Sequence, residues 1–358
     1  MNKINKNRQK IDALDEQIQN LLNTRAEIAQ IIGNSKKEFT QNSLCYVPER
    51  EEAILRTVIA RNTGPLSNEA LQKIYQQIIA SCRGLEKKLT IAFLGPLGTF
   101  SHQATLKCFG TEVNLLPLTS IKEASAAVEH DNADCCIVPI ENSCEGIVTP
   151  TLDQLGQSNL AVCNEILLPV HHYLLSRSAN TKEITQIYSH PQALAQCQQW
   201  LEKNFPHAAL FPAKSSAQAC LLAANEVSTA AIAGELALSN HNLNVLAKHI
   251  EDEPNNTTRF YVMGKHLTKP SGQDKTSMLI TIPHKPGALA NTLNKFATNG
   301  VNLTLLQSRP SKKQIWEYMF FLEMEGHQND APIKKTLHEL NNNQALVKIL
   351  GSFPRTLT

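Results

Sequence analysis

The first forty residues carry an apolar stripe that is too long for a small domain to cover by itself. Apolar residues recur at three- and four-residue intervals, at Ile11, Leu14, Ile18, Leu21, Ile28 and Ile32. This heptad-like spacing predicts one helix of about 30 residues, which is about 45 Å long. Two shorter helices are predicted next, from Pro48 to Arg61 and from Ser67 to Glu86, and they cannot cover that face. We therefore predict an all-helical unit over residues 1–90 that pairs with a second copy as an intertwined dimer.

Two arginines stand where this stripe should be apolar. Arg25 fills the gap between Leu21 and Ile28, and Arg8 extends the stripe towards the N-terminus. A guanidinium in an apolar seam is costly unless it meets an anion or a carboxylate, so both arginines are candidates for binding an anionic ligand. The alternative is an arginine at the edge of the seam whose charged end reaches solvent.

Residues 1–90 resemble the all-helical chorismate mutase domain. The positions that carry the resemblance are Arg8, Arg25, Lys36, Arg50, Glu51 and Glu86. The family converts chorismate to prephenate by a pericyclic rearrangement, which needs a clamp on two carboxylates and donors facing the ether oxygen. The resemblance implies that the three arginines form the clamp, with Arg8 supplied by the other subunit. It also implies that Glu51 holds the ring hydroxyl and Lys36 faces the ether oxygen.

This chain departs from the mutase pattern at two positions. Val47 stands where some members carry aspartate, and Glu86 stands where others carry glutamine. An ionised glutamate cannot donate a hydrogen bond to the ether oxygen, so Glu86 would have to be protonated in the active form. We therefore predict mutase activity that rises towards acidic pH.

From residue 89 the pattern changes to short strands that alternate with helices, which predicts an α/β unit. One apolar run, residues 134–140, ends abruptly at Glu141, Asn142 and Ser143. Ligands of open α/β sheets bind beyond the carboxyl ends of strands, so this is a candidate site, although an ordinary polar loop would look the same. The stretch Gly95–Ser101 links a strand to a helix and could hold an anion on backbone N–H groups. It lacks the glycine pattern of nucleotide-binding loops, so a nucleotide cofactor is not expected.

Residues 91–267 resemble prephenate dehydratase. The matching stretches are Gly95–Ser101, Val138–Leu155, Tyr188–Cys197 and Asn256–Phe260. The family fold is two-lobed, like a type II periplasmic binding protein, and its site lies in the cleft between the lobes. Its reaction removes CO₂ and a ring hydroxyl from prephenate to give phenylpyruvate, and aromatisation supplies the driving force without a cofactor.

The dehydratase resemblance implies a set of cleft residues. Thr258 would contact the departing hydroxyl and Arg259 would support it. The proton could come from Glu141 or from water, and the sequence leaves this open. The remaining predicted cleft residues are Thr99, Ser101, Glu141, Asn142, Ser143, Ser189, His190 and Gln192.

The C-terminal region, residues 275–354, is predicted to fold as βαββαβ, a ferredoxin-like order, after a polar linker. It resembles the ACT regulatory domain through the stretches Gly287–Ala290 and Gln307–Pro310. The resemblance implies that L-phenylalanine binds here as a feedback inhibitor, although Gln307 replaces the usual glutamate. A plain dimerisation module is the alternative. The predicted ligand-binding residues are Gly287, Ala288, Leu289, Ala290, Asn302, Leu303, Gln307, Ser308, Arg309 and Pro310.

Composition excludes several other classes of function. The net charge of +2 argues against nucleic acid as the main partner. No apolar stretch is long enough for a membrane span or a signal peptide, so a cytoplasmic protein is expected. The nine cysteines lack metal-ligand spacing, so neither a metal nor disulfides are expected.

The sequence thus predicts a cofactor-free, bifunctional chorismate mutase and prephenate dehydratase that phenylalanine inhibits. Its partners would be chorismate, prephenate, L-phenylalanine and further copies of the same chain. In one alternative the helical domain is an inactive dimerisation module. In another the two-lobed unit binds a ligand without catalysis.

Overall fold

A computed structural model describes residues 3–39, 46–237, 242–283, 285–310, 318–341 and 346–356. The chain divides into two compact units, one formed by residues 1–90 with 108–114 and the other by residues 91–107 with 115–358. Within the described ranges, no helix is both long enough and apolar enough to cross a membrane.

The first unit is built on one long helix, as predicted. Its helices are α1 (Lys3–Phe39), α2 (Pro48–Ala60) and α3 (Asn68–Glu86). The Ser67 hydroxyl caps α3 by accepting the N–H of Ala70. The apolar stripe of α1 stays about half-exposed from Ile11 (56%) to Ile32 (48%). A single copy of the unit therefore leaves this seam uncovered.

The second unit begins with a two-lobed α/β region, which confirms the predicted fold class. Its elements are β1 (Thr90–Leu94), α4 (Phe100–Phe109), β2 (Asn114–Leu118), α5 (Ile121–Glu129), β3 (Cys135–Asn142), β4 (Gly146–Ile147), α6 (Thr149–Gln157), β5 (Ala161–Pro169), β6 (Tyr173–Ser176), β7 (Gln186–Ser189), α7 (Pro191–Gln196), α8 (Gln198–Asn204), β8 (Ala209–Pro212), α9 (Ser216–Asn225), β9 (Thr229–Ala233), β10 (Asn244–Lys248) and β11 (Thr257–Gly264).

Each lobe has its own sheet, and the chain crosses between the lobes twice. The first sheet has the order β2-β1-β3-β11-β5, with β4 beside β3, and the second has the order β10-β6-β9-β7-β8. The crossings follow β5 and β10, and Glu251 ties them together. Its carboxylate accepts the backbone N–H of His172 at 2.8 Å and lies 2.7 Å from Nδ1 of His171.

The C-terminal region has the predicted βαββαβ order. Its elements are β12 (Asp274–Thr281), α10 (Ala288–Thr298), β13 (Leu303–Pro310), β14 (Tyr318–Glu325), α11 (Ala331–Asn341) and β15 (Leu346–Pro354). They form one sheet in the order β13-β14-β12-β15. One face of this sheet packs on Phe296 and Ile333 of its own helices.

The other face of the C-terminal sheet shares a core with the first lobe. Leu279 and Phe321 belong to the same buried cluster as Val162 and Tyr261 of the first lobe. At Gly351 (φ +152°) a Cβ atom would overlap the backbone of Val162, so the two sheets approach too closely there for any side chain. The C-terminal region is therefore part of the same compact unit as the two lobes.

Candidate functional site

Two adjacent strands of the first lobe place the predicted catalytic residues on opposite faces of the sheet. Strands β3 and β11 run antiparallel, with Thr258 opposite Asn142 and Arg259 opposite Glu141. Successive side chains of a strand point to opposite faces. Asn142 and Thr258 therefore share the face that lines the interlobe cleft, whereas Glu141 and Arg259 share the other face.

The cleft has a volume of about 710 Å³ and is lined from both lobes. Six of the predicted residues lie in its wall, namely Thr99, Ser101, Asn142, His190, Gln192 and Thr258. The aromatic rings of Phe100 and Phe260 also line it, and Lys214 provides a cation on the wall of the second lobe. A cleft with apolar walls and a few convergent polar groups is typical of a small-molecule site.

Asn142 fixes the orientation of the Thr258 hydroxyl. Its side-chain oxygen accepts the backbone N–H groups of Cys144 at 2.9 Å and Glu145 at 3.2 Å, which places the amide nitrogen opposite. That nitrogen donates to Thr258 Oγ1 at 2.9 Å and to Asn256 Oδ1 at 2.8 Å. Because Thr258 Oγ1 accepts from Asn142, its own hydrogen can be donated to a ligand in the cleft.

The hydrogen-bond chain continues through residues that the sequence analysis did not single out. Asn256 donates to Gln196 Oε1 at 3.2 Å, and the same oxygen lies 2.8 Å from Nε2 of His172. Gln196 in turn donates to Glu145 Oε1 at 2.9 Å. Burial lowers the pKa of His172, so its ring stays neutral in this chain. Asn256 and Gln196 both lie in stretches that resemble prephenate dehydratase, and this resemblance could have identified them as site residues.

The Gly95–Ser101 segment forms a third wall of the cleft. Thr99 Oγ1 donates to the carbonyl oxygen of Pro96 at 2.9 Å, and Ser101 is buried in the first turn of α4. Nδ1 of His102 accepts the N–H of Gly98 at 3.1 Å, and the imidazole stacks on Phe93. Burial lowers the pKa of His102, which keeps Nδ1 available as the acceptor for this loop.

Four predicted residues do not line the cleft. Ser189 is buried and donates to the carbonyl oxygen of Ile232 at 2.7 Å. Ser143 accepts the N–H of Thr257 at 2.9 Å. Glu141 and Arg259 form an ion pair at 3.0 Å on the opposite face of the sheet. Their catalytic or binding roles remain predictions.

In the helical unit, the predicted mutase residues form two ion-paired groups. Lys36 Nζ lies 3.1 Å from Glu86 Oε2. Glu51 accepts both of its hydrogen bonds, at 2.5 and 2.7 Å, from Arg83, a buried residue that the sequence analysis missed. Burial raises the pKa of Glu51, although Arg83 and Arg25 act in the opposite direction. The helical spacing of Arg83 in the sequence does not indicate this contact with Glu51.

The arginines of the predicted clamp are spread along the unit. Arg25 is half-buried and close enough to Glu51 to affect its pKa, and Arg50 is exposed. Arg8 lies 17 residues before Arg25 on α1, a separation of about 25 Å along the helix axis. Arg8 therefore cannot reach the Arg25 region of its own chain.

The predicted phenylalanine site is divided between two ends of the C-terminal sheet. Gly287 begins α10 with φ +77°, a conformation that favours glycine, and Ala288 and Leu289 are half-buried after it while Ala290 is exposed. Leu303 of β13 pairs with Met324, and Pro310 at the other end of β13 pairs with Tyr318.

Asn302 and Leu303 thus lie at the opposite end of β13 from Arg309 and Pro310. Within the Gln307–Pro310 stretch, Arg309 forms an ion pair with Asp153 of α6 at 2.8 Å. The Gln307 side chain donates to the carbonyl oxygen of Ser308 at 3.3 Å. The Ser308 and Pro310 side chains are exposed. One chain does not bring all the predicted ligand-binding residues together.

One group among the described residues has the ligand types of a metal site. Donor atoms of His171, His249 and Glu251 lie within 4.8 Å of one another. The carboxylate of Glu251 is already used by His171 and by the N–H of His172 at the lobe crossing. These contacts account for the cluster without a metal.

Comparison with known proteins gives a consistent result over the whole chain. The family profile of chorismate mutase type II matches residues 7–87, that of prephenate dehydratase matches residues 91–268, and that of the ACT domain matches residues 276–342. A bifunctional chorismate mutase/prephenate dehydratase of Aquifex aeolicus is 41% identical over 361 residues, covering 100% of this chain and 99% of the relative.

Two further relatives agree with this result. A protein of the same description from Neisseria gonorrhoeae is 42% identical and covers 97% of this chain and 96% of its own length. The crystal structure of prephenate dehydratase from Arthrobacter aurescens in complex with L-Phe superposes with a TM-score of 0.69 at 34% identity. It covers 75% of this chain and 90% of that protein.

Proposed function

Because the chain belongs to the family of bifunctional chorismate mutase/prephenate dehydratases, we propose that its helical unit and its cleft carry out consecutive steps. The helical unit converts chorismate to prephenate, and the cleft converts prephenate to phenylpyruvate. The observation that carries the second assignment is the Asn142–Thr258 pair, whose oriented hydroxyl faces a cleft of suitable size.

In the proposed dehydratase step, Thr258 donates a hydrogen bond to the departing ring hydroxyl of prephenate. The ring carboxylate leaves as CO₂, its bonding electrons enter the ring as the ring becomes aromatic, and the ring C–O bond breaks to release hydroxide, which takes its proton from water. The donor is held ready by Asn142, so no reorientation is needed as negative charge develops on the leaving oxygen. Lys214 and the backbone N–H groups at the start of α4 attract the two carboxylates of the substrate. The rings of Phe100 and Phe260 contact the product ring, which is aromatic and flat.

In the proposed mutase step, the reactive conformer of chorismate is held by cations. Arg25 and Arg50 of one chain and Arg8 of a second copy bind the carboxylates. Glu51, held by Arg83, accepts a hydrogen bond from the ring hydroxyl, while Lys36, which is paired with Glu86, faces the ether oxygen. Because Arg8 lies about 25 Å from Arg25 along α1, the site is complete only in a dimer.

The exposed stripe of α1 provides the surface for this dimer. The half-exposed apolar residues between Ile11 and Ile32 and the trans role of Arg8 both favour a second copy as the occupant. Leu21→Lys should remove mutase activity, because Arg8 of a second copy then no longer reaches the pocket, while dehydratase activity persists. Full mutase activity in this variant would refute the arrangement. An inactive helical dimerisation domain would instead form dimers that never consume chorismate.

The C-terminal region is proposed to bind L-phenylalanine and slow the dehydratase. The left-handed Gly287 lets a ligand approach the start of α10, whose N-terminus favours a carboxylate. Since Asn302 and Leu303 lie at the opposite end of the sheet from Arg309 and Pro310, one chain does not bring all the predicted contacts together, and a second copy would complete the pocket.

One time course tests the whole proposal. Purified protein is given chorismate, and prephenate and phenylpyruvate are quantified separately with and without phenylalanine. Prephenate followed by phenylpyruvate, with the second step slowed by phenylalanine, is the expected result. If chorismate persists but added prephenate is consumed, the helical unit is a scaffold. If neither is consumed, the cleft only binds its ligand.

A further inference from the structure

Arg259 connects the catalytic strand of the dehydratase to the regulatory sheet. It is 8% exposed and lies on the face of β11 opposite to the cleft. Its Nη1 atom donates to both oxygens of Glu323 on β14, at 2.8 and 2.6 Å, and its Nη2 atom lies 3.0 Å from Glu141 on β3. One guanidinium therefore joins the regulatory strand to both strands that carry the Asn142–Thr258 pair.

Glu323 is held in a site built for its carboxylate. It is 1% exposed, and besides Arg259 it accepts hydrogen bonds from the hydroxyls of Tyr261 and, at 3.2 Å, Ser277. Burial alone would lower the pKa of Arg259, but Tyr261 and Glu323 raise it above its usual value, so the guanidinium stays charged. A buried carboxylate without its cation is costly, so Arg259 and Glu323 are constrained to move together.

A displacement of Arg259 would move the residues beside it on β11, which line the cleft. Arg259 follows Thr258 in the chain, and the pairing of β11 with β3 shifts register between Arg259 and Phe260. Such a shift, which leaves Ile140 of β3 without a partner in the register, affects the direction of the side chains beside it. Thr258 and Phe260, the residues on either side of Arg259, both line the cleft.

The other end of the connection lies next to the proposed phenylalanine site. Glu323 stands opposite Leu305 of β13, the strand that ends in the Gln307–Pro310 stretch. A movement of β13 therefore needs to cross only one strand spacing, about 4.8 Å, to reach the carboxylate. The path from the regulatory ligand to Thr258 runs through β13, β14, the Glu323–Arg259 ion pair and β11.

We propose that Glu323 is the positioning residue through which the regulatory domain acts on the dehydratase site: it holds Arg259, and Arg259 sets the direction of Thr258. This inference rests on the proposed function, because it names the contact by which bound phenylalanine changes the rate of the cleft. Coupling between the phenylalanine site and the cleft is a free energy that depends on this contact. If the Glu323–Arg259 contact is broken, phenylalanine should still bind but should no longer lower the dehydratase rate.

The test measures two quantities on the full-length protein. The first is the ratio of dehydratase kcat without phenylalanine to kcat at saturating phenylalanine, and the second is phenylalanine binding by calorimetry. Glu323→Gln should lower the ratio at least fivefold towards one while phenylalanine still binds. Glu323→Asp, which keeps the charge, should retain most of the ratio.

Glu325→Gln is the matched control. Glu325 lies two residues further along β14 and pairs with Arg355 at the surface, at 3.1 Å. This variant should keep the wild-type ratio. Tyr261→Phe removes only a hydroxyl that donates to Glu323 and should lower the ratio in the same direction, which provides a second variant if Glu323→Gln does not fold.

The proposal is overturned if folded Glu323→Gln, or Tyr261→Phe in its place, is inhibited as strongly as the wild type. It is also overturned if Glu323→Gln no longer binds phenylalanine, since the residue would then belong to the ligand pocket. Failure of the proposed function gives a different result, because wild-type protein would then turn over no prephenate or would ignore phenylalanine.

Discussion

The Thr258 hydroxyl can be removed with little change in the shape of the protein. In Thr258→Val a methyl group replaces the hydroxyl, and the β-branched side chain still suits strand β11. Asn142 loses one acceptor at 2.9 Å but keeps Asn256 Oδ1 at 2.8 Å. The expected loss of stability is therefore about 1 kcal/mol, the net value of one hydrogen bond.

The expected loss of catalysis is much larger. A pre-oriented donor to a developing negative charge contributes about 3–4 kcal/mol to transition-state stabilisation, which corresponds to a decrease in kcat of about 10²- to 10³-fold. Because the donor acts chiefly in the transition state, the KM for prephenate should change by less than about threefold. Thr258→Ser keeps the hydroxyl and should stay within about tenfold of wild type.

The assay follows phenylpyruvate formation from prephenate at saturating substrate. Chorismate mutase activity of the same preparation is the internal control, since Thr258 lies in the other compact unit. A Thr258→Val protein with unchanged mutase activity and a dehydratase kcat within threefold of wild type would refute the role given to the hydroxyl.

Three further predictions follow from the charged groups. Glu86→Gln places an amide donor at this position, so the variant should keep mutase activity within about tenfold of wild type; complete loss of mutase activity in a folded Glu86→Gln protein would contradict the donor role given to this position. Arg83→Met leaves the half-buried Glu51 carboxylate without its partner, so it should destabilise the helical unit by about 2 kcal/mol. The urea midpoint for loss of mutase activity should fall while that of the dehydratase does not, and equal shifts in both would argue against the assignment. Burial lowers the folded-state pKa of His102, so the unfolded chain binds a proton at this residue more readily than the folded chain does. The contribution of His102 to stability is therefore present above pH 6.5 and is lost as the pH falls through the lowered pKa. His102→Asn, which keeps an acceptor for the N–H of Gly98, should make dehydratase stability less sensitive to acid, as measured by melting temperature between pH 5 and 8.

The order of the elements could be predicted from periodicity, but the edges of the second lobe could not. Strands β8 and β10, which form the two edges of its sheet, were not predicted, and neither was the inner strand β6. The β8 strand has only four residues, and its apolar run ends at Pro212, so the run is too short to identify a strand. Such strands form because a neighbour supplies the hydrogen bonds, and that neighbour is distant in sequence.

The residues of the candidate site could be predicted as a group, but their division between the two faces of the sheet could not. Glu141 and Asn142 were expected to line one cleft because they are adjacent in sequence at the end of an apolar run. Strand β3 instead continues to Asn142, so the two side chains point in opposite directions. The ion pairs of Arg83 and Arg259 were likewise missed, since helical or strand spacing does not identify a partner that is remote along the chain.

The length of α1 has a genetic consequence in the proposed dimer. A chain that lacks Arg8 keeps its own Arg25, Lys36 and Glu51 intact, and the defect appears in the neighbouring subunit's pocket. In a cell that makes two alleles, one damaged at Arg8 and the other at Glu51, each mixed dimer would hold one pocket with both defects and one with neither. Two inactive alleles would then complement each other, and about a quarter of all mutase sites would regain function under random pairing.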